Sequence, residues 1–355
     1  MMSEANPSIP RRDVLRGAGA LLALPLLHQS ALGNAFAGAA SAPGAEPASG
    51  QTPPRAKWHE KKRCFGFHHD LHVVPGDRDI GTHCTPAELV PLLRLTHADF
   101  IQTDSKGHTG LTSWMSKTPG ASVGPGVVKD ALLGWREATR ELGLPLHAHY
   151  SGIGDIAAGT KHPDWCIRGP DGNPVGGGLF GVTAPHGDRM CPRSRYADEL
   201  MIPQLIEMMD RYGVDGFWID GDLWAMEPCY CQRCREAFRQ QTGIAEPPKG
   251  PGEPNWPAWW EFTRKSLGEY VARYCDAVHR HKPGVLVCSN WLETLRDPGA
   301  PTAPTDWISG DNTAVWGLDN CRCEARFIST RGKPWDIMMW CSTPPTGSSA
   351  GPTGR

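Results

Sequence analysis

At 355 residues, with 41 Gly, 33 Pro and 14 Trp, the chain is long enough for one large α/β domain or two medium ones, and its composition excludes a fibrous or disordered protein. A formal net charge of -2 with no basic stripe argues against nucleic acid or an acidic membrane surface as a partner. Abundant tryptophan suits a sugar-binding cleft, where an indole stacks on the apolar face of a pyranose, and suits an ordinary core as well.

The chain opens with Pro10-Arg11-Arg12-Asp13-Val14-Leu15-Arg16, then an apolar run over 17–27 and small residues around Ala35 and Ala42. That order describes a signal peptide over 1–42, and the paired arginines resemble the twin-arginine export signal. The expected destination is periplasmic or secreted. The apolar run is too short to span a bilayer, so no stable membrane insertion is expected. Residues 43–57, rich in Ala, Pro, Gly and Ser, are expected to form a flexible linker.

Short apolar runs then predict strands at 64–67, 98–103, 145–150, 214–219, 285–289, 307–309 and 335–340. Between them, segments of helical length and period occupy 86–95, 127–142, 196–212 and 259–281. Seven alternations without a hairpin signal predict an α/β fold over 58–341, with the parallel sheet closed as a (β/α)8 TIM-type barrel. A doubly wound open sheet is the second architecture, weakened by the absence of a glycine-rich phosphate loop after the first strand. Residues 342–355 contain only Ser, Thr, Pro, Gly, Ala and one Arg, from which no eighth strand can be read. The barrel is therefore expected to be truncated after about seven strands, with an unstructured tail.

Each predicted strand ends in chemistry-capable side chains. These are His68-His69-Asp70-Leu71-His72, Asp104-Ser105-Lys106-Gly107-His108, His149-Tyr150-Ser151-Gly152, Asp220-Gly221-Asp222, Asn290-Trp291 and Gly310-Asp311-Asn312. In a barrel such ends converge on the face that carries the active site. In an extended chain, positions 216, 218, 220 and 222 share one face, so Asp220 and Asp222 are both expected to look into the pocket. Two carboxylates in a tryptophan-walled site suit glycosidic cleavage, one as nucleophile and one as proton donor. His68, Asp70, His72, Asp104, Lys106, His108, His149, Trp218, Asp222, Asn290 and Trp291 are the candidate substrate-binding residues. The imidazoles among them suit a metal equally, which keeps a metal-dependent hydrolase of another substrate class as the second reading.

The order of Phe65-Gly66-Phe67-His68-His69-Asp70, Gln102-Thr103-Asp104-Ser105-Lys106-Gly107-His108, His149-Tyr150-Ser151-Gly152 and Asp220-Gly221-Asp222 resembles a group of bacterial barrel proteins described as α-L-fucosidase-like glycosidases. Ser289-Asn290-Trp291, Ser309-Gly310-Asp311 and Gly332-Lys333-Pro334-Trp335-Asp336 continue the likeness, which runs from about Cys64 to Trp340. In such fucosidases the nucleophile is an Asp closing the fourth strand in a Trp-x-Asp-Gly setting, and Trp218-Ile219-Asp220-Gly221 fits it. The resemblance therefore implies a carbohydrate substrate, no catalytic cofactor, and Asp220 as nucleophile. Asp311, Glu293 and Glu227 are the candidate proton donors, with Asp311 preferred because it sits directly at a strand end.

Cys229-Tyr230-Cys231-Gln232-Arg233-Cys234 places three thiols at a spacing that can wrap one tetrahedral ion. Cys191 is the candidate fourth ligand and Cys166 its alternative, with a disulfide or plain buried thiols as the competing readings. A possible structural zinc is thus expected beside a site that needs none. A truncated, non-catalytic sugar-binding barrel is the non-enzymatic alternative.

Overall fold

The computed structural model describes residues 58–61, 64–313 and 317–340. The expected signal peptide, linker and C-terminal tail lie outside the described residues. In chain order the strands are β1 (Gly66–His69), β2 (Phe100–Lys106), β3 (Leu111–Thr112), β4 (Ser122–Val123), β5 (Leu146–Ser151), β6 (Gly178–Leu179), β7 (Val182–Thr183), β8 (Gly216–Asp220), β9 (Leu286–Ser289), β10 (Asp311–Thr313) and β11 (Met338–Trp340). The helices are α1 (Pro86–Thr96), α2 (Ala131–Glu141), α3 (Ile156–Lys161), α4 (Ile202–Arg211), α5 (Gln232–Thr242), α6 (Trp256–His281) and α7 (Leu318–Ile328). A π-helical turn, Ala197–Met201, leads into α4.

Five strands run parallel in the order β1-β2-β5-β8-β9, so the α/β class and the parallel sheet stand. The closed barrel does not. Among the described residues β1 and β9 are edges of the parallel run, while β10 and β11 pair only with each other. The expected strand at 307–309 contributes one isolated bridge, Ile308 to Trp335. The reason lies in the segment after β9. Trp291 and Glu293 adopt left-handed backbone, and Pro298, Pro301 and Pro304 have no N–H to give to a ladder. Only scattered bonds cross this gap, such as Asp306 N–H to the Val287 carbonyl at 2.8 Å and Trp291 N–H to the Ser309 carbonyl at 3.0 Å. The sheet also departs from pure parallel order, since β3 turns back antiparallel on β2, and β6–β7 forms a separate antiparallel hairpin that was not expected from the sequence.

Strand periodicity divides the interior into two layers. Ile101, Ala148, Phe217, Ile219 and Val287 face outward and pack with Leu132, Leu205, Met208 and Val271 of the helices. On the inner face Trp58, Phe100, Trp218, Cys288 and Trp307 form a second apolar cluster. Register stacks polar residues above it: His68 opposite Gln102, Asp104 opposite His149, His149 opposite Trp218, and Ser151 opposite Asp220. The aromatic inner layer is thus the floor of a site at the C-terminal strand ends. Among the described residues no helix is long and apolar enough to cross a membrane.

Candidate active site

Asp220 closes β8 on the inner face, and Gly221 (φ 76) lets the chain turn at once into the 3-10 turn Asp222–Met226. Its Oδ2 faces two imidazoles, Nε2 of His108 at 3.0 Å and Nε2 of His149 at 3.3 Å. Its Oδ1 accepts from the Gly221 N–H at 2.7 Å and from Asn290 Nδ2 at 2.6 Å. His149 Nδ1 lies 3.4 Å from Asp104 Oδ2, so the ring bridges two buried carboxylates.

The balance of charges follows from these contacts. Burial alone would discharge His149, but Asp104 and Asp220 outweigh it and hold the ring well above its ordinary value, as imidazolium. Burial would likewise raise the two carboxyls. His108 and His149 instead hold Asp220 well below the usual carboxylate range, and His149 with His72 does the same for Asp104. His68, whose ring centre is 5.2 Å from that of His149, is pushed down to about 3 by burial first and by His149 second, so it is neutral.

Asp311 opens β10 across from Asp220. Its Oδ2 accepts from the same Asn290 Nδ2, at 3.1 Å, and its N–H donates to Asn290 Oδ1 at 3.2 Å. One amide nitrogen therefore touches both carboxyls, and the two oxygens that accept from it lie no farther apart than the sum of its two distances, 5.7 Å. Burial first, and the charge of Asp220 second, push Asp311 up to about 8. The two acids are held in opposite states: Asp220 ionised, Asp311 protonated at neutral pH.

The sequence-predicted residues divide into those the fold brings together and those it does not. His72 (φ 42) donates its N–H to Asp104 Oδ2 at 2.7 Å and places Nε2 3.1 Å from Asp70 Oδ1. Trp218 lies under His149 with ring centres 5.2 Å apart, its Nε1 donating to Ser309 Oγ at 2.8 Å. Trp291 donates from Nε1 to the Asp311 carbonyl at 3.1 Å. Lys106 turns away, because a register shift between Asp104 and Lys106 breaks the alternation of β2. Its Nζ is committed to Asp155 Oδ2 at 3.0 Å and Tyr196 Oη at 3.1 Å. Asp222 is also outside the cluster, accepting from Tyr274 Oη at 2.6 Å and Ser289 Oγ at 2.8 Å. Of the other proton-donor candidates, Glu293 is buried against Lys333 at 2.5 Å and Glu227 pairs with Arg189 at 2.5 Å.

Phe180 and Trp224 were missed in the sequence, and Ser151, named at a strand end, was given no role of its own. Phe180, at the tip of the β6–β7 hairpin, stacks on His72 with ring centres 4.8 Å apart, Trp224 lies 4.6 Å from His108, and Ser151 Oγ is 2.6 Å from His108 Nδ1. A signal for Phe180 existed in Gly176-Gly177-Gly178-Leu179-Phe180-Gly181, a lone aromatic among glycines able to make a tight hairpin.

Cys191, Cys229, Cys231 and Cys234 come together with their four sulfurs within 4.8 Å of one another, while Cys166 lies apart with Sγ 3.9 Å from the Gly187 carbonyl. Two groups in the active site also bring ligand-type atoms within that distance, Asp70 with His72, Asp104 and His149, and His72 with His108 and Asp220. A cavity of about 650 Å³ lined by Phe67, Cys84, Leu89, Leu93 and Trp135 contains none of the cluster around Asp220.

No curated protein matches the chain. Among solved structures it is similar to α-L-fucosidase isoenzyme 2 from Paenibacillus thiaminolyticus, at 23% identity and a TM-score of 0.64 over 78% of this chain and 40% of that one. The chain thus spans about two fifths of that enzyme, and the likeness concerns the fold. Weaker matches are β-N-acetylhexosaminidase from Bacteroides fragilis (10% identity, TM-score 0.48, 78% of this chain and 50% of that one) and α-L-fucosidase AlfC from Lactobacillus casei in complex with α-L-fucose product (14%, 0.36, 73% and 73%). The model of the family described as α-L-fucosidase matches residues 82–294, well over half of the 355 residues and including both Asp220 and Asn290, and the chain belongs to that family.

Proposed function

We propose that the chain is a retaining glycoside hydrolase acting on α-L-fucosides, with Asp220 as nucleophile and Asp311 as acid and base. One observation carries the reading. Two carboxyls joined through the Asn290 amide, with the oxygens that accept from it at most 5.7 Å apart, are held in opposite protonation states. Retaining enzymes place their pair about 5–5.5 Å apart, whereas inverting enzymes need room for a water between them. The same reading takes the open parallel sheet, with the β10–β11 pair, as an arc of a (β/α) barrel.

In this mechanism Asp220 attacks the anomeric carbon while the Asp311 proton passes to the departing oxygen. The glycosyl ester on Asp220 is then cleaved by water, which gives its proton back to Asp311. His149, cationic between Asp104 and Asp220, keeps the nucleophile ionised. Neutral His68 and the Asp70–His72 pair offer donors and acceptors to sugar hydroxyls, and the exposed Phe180 offers an apolar face.

Asp220→Gly tests the assignment, and it should lower kcat/KM for an aryl α-L-fucoside by about 1000-fold or more while the protein stays folded. Azide should restore turnover and yield a fucosyl azide of the opposite anomeric configuration. Unchanged activity in the variant would refute the assignment. The metal-dependent reading, favoured by the ligand-type groups around His72, requires loss of activity in EDTA, and full activity there discards it.

A further inference from the structure

We propose that Cys191, Cys229, Cys231 and Cys234 hold a tetrahedral zinc ion that fastens together two loops of the active-site wall. The proposal rests on the four thiols and is independent of the reaction assigned above. Cys191 Sγ lies 3.8 Å from Cys231 Sγ and 3.5 Å from Cys234 Sγ. Zinc–sulfur bonds of about 2.3 Å make the edge of a tetrahedron about 3.8 Å, so the sulfurs already stand at ligand spacing. They are too far apart for a sulfur–sulfur bond of about 2.05 Å, and all cysteines among the described residues are free.

Four protein ligands leave no open position, which marks a structural rather than a catalytic centre. The surroundings agree. Ile167, Phe238, Trp259 and Phe262 pack with Cys191, Cys229 and Cys234 in an apolar cluster separate from the main core. Cys231 is the N-cap of α5 and Cys234 lies in its first turn, so the positive end of the helix faces thiolate charge. Cys191 arrives from a different part of the chain, its N–H donating to the Trp165 carbonyl at 2.7 Å.

A bond network runs from these ligands into the site. Arg189, two residues before Cys191, pairs with Glu227, two residues before Cys229, at 2.5 Å. The Arg189 guanidinium sits 5.4 Å from the Trp224 ring centre, and Trp224 packs on His108 beside Asp220. The stretch from His162 to Arg195 holds one 3-10 turn, the β6–β7 hairpin and isolated bridges such as Cys166 to Met190, so few ladder bonds offset the entropy of ordering it. An ion with ligands on both loops supplies that cross-link.

Elemental analysis of the full chain, purified under reducing conditions, should find about one zinc per chain. Cys231→Ser and Cys234→Ser should lose the ion and speed amide exchange over 188–191 and 222–234, while Cys323→Ser, an exposed thiol elsewhere, should keep it. If those variants do not fold, cobalt(II) exchanged into the wild-type chain should give the absorption bands of a tetrahedral tetrathiolate. A folded chain with no metal, in which the four cysteines are alkylated as free thiols or recovered as disulfides, overturns the proposal. So does iron in place of zinc.

Discussion

At the scale of single residues, the difference between Asp220 and Asp311 predicts the pH profile. The acid must carry its proton, and Asp311 is pushed up to about 8, so kcat/KM should be flat through neutrality and fall as pH rises through about 8. Asp220 sits well below the usual range and adds no acid limb near neutrality. Asp311→Asn should abolish the limb near 8 and cost about 100- to 10,000-fold in kcat/KM for a fucoside with a poor leaving group, less when the leaving group needs no proton. A limb that survives the substitution would show that Asp311 is not the acid. Asp220 was legible because its side chain lies inside β8, where alternation holds. Asp222 departs from expectation because alternation was carried past Gly221, where the strand ends, and Lys106, named with the residues closing β2, turns away at an irregularity in that strand. Such local departures leave no periodic signature in the residues themselves.

Among the elements, α2 is held so close to the turn that leads into α1 that a glycine is required. A Cβ on Gly134 would sit 1.7 Å from the Cys84 carbonyl oxygen and 2.6 Å from its carbon. In an isolated helix Gly→Ala gains about 1 kcal/mol. Here the intruding methyl group meets backbone, which cannot swing aside, so Gly134→Ala should instead destabilise by about 1–3 kcal/mol in denaturant unfolding. A gain in stability would show that α2 stands farther from residue 84. The major strands and the long helices were readable because apolar period and length agree in them. α5 and α7 were not, because their buried stripes are short, Cys234 and Phe238 in one and Cys321, Glu324 and Ile328 in the other. Sheet closure was misjudged because counting strands says nothing about which ladders form after a proline-rich connection.

Over the whole molecule, chemistry and stability occupy opposite ends of the parallel sheet. The C-terminal ends carry Asp104, His149, Asp220 and Asn290; the opposite ends are bolted by Arg136 of α2. Its buried guanidinium donates to Asp215 Oδ2 at 2.7 Å, to the Gly213 carbonyl at 3.1 Å and to the Leu144 carbonyl at 3.2 Å. Asp215 Oδ2 also accepts the Leu146 N–H at 3.0 Å, so one ion pair joins α2 to the entries of both β5 and β8. Arg136→Met keeps much of the side-chain volume but takes the guanidinium from Asp215, a change of the kind that costs about 3–5 kcal/mol. Denaturant unfolding should show that loss. Because the bolt lies at the far end of β8 from Asp220, kcat/KM and its limb near 8 should be unaltered wherever the variant remains folded. A changed limb at full folding would mean that strain at the strand entries reaches the carboxylates, and the two ends would then have to be treated as one unit.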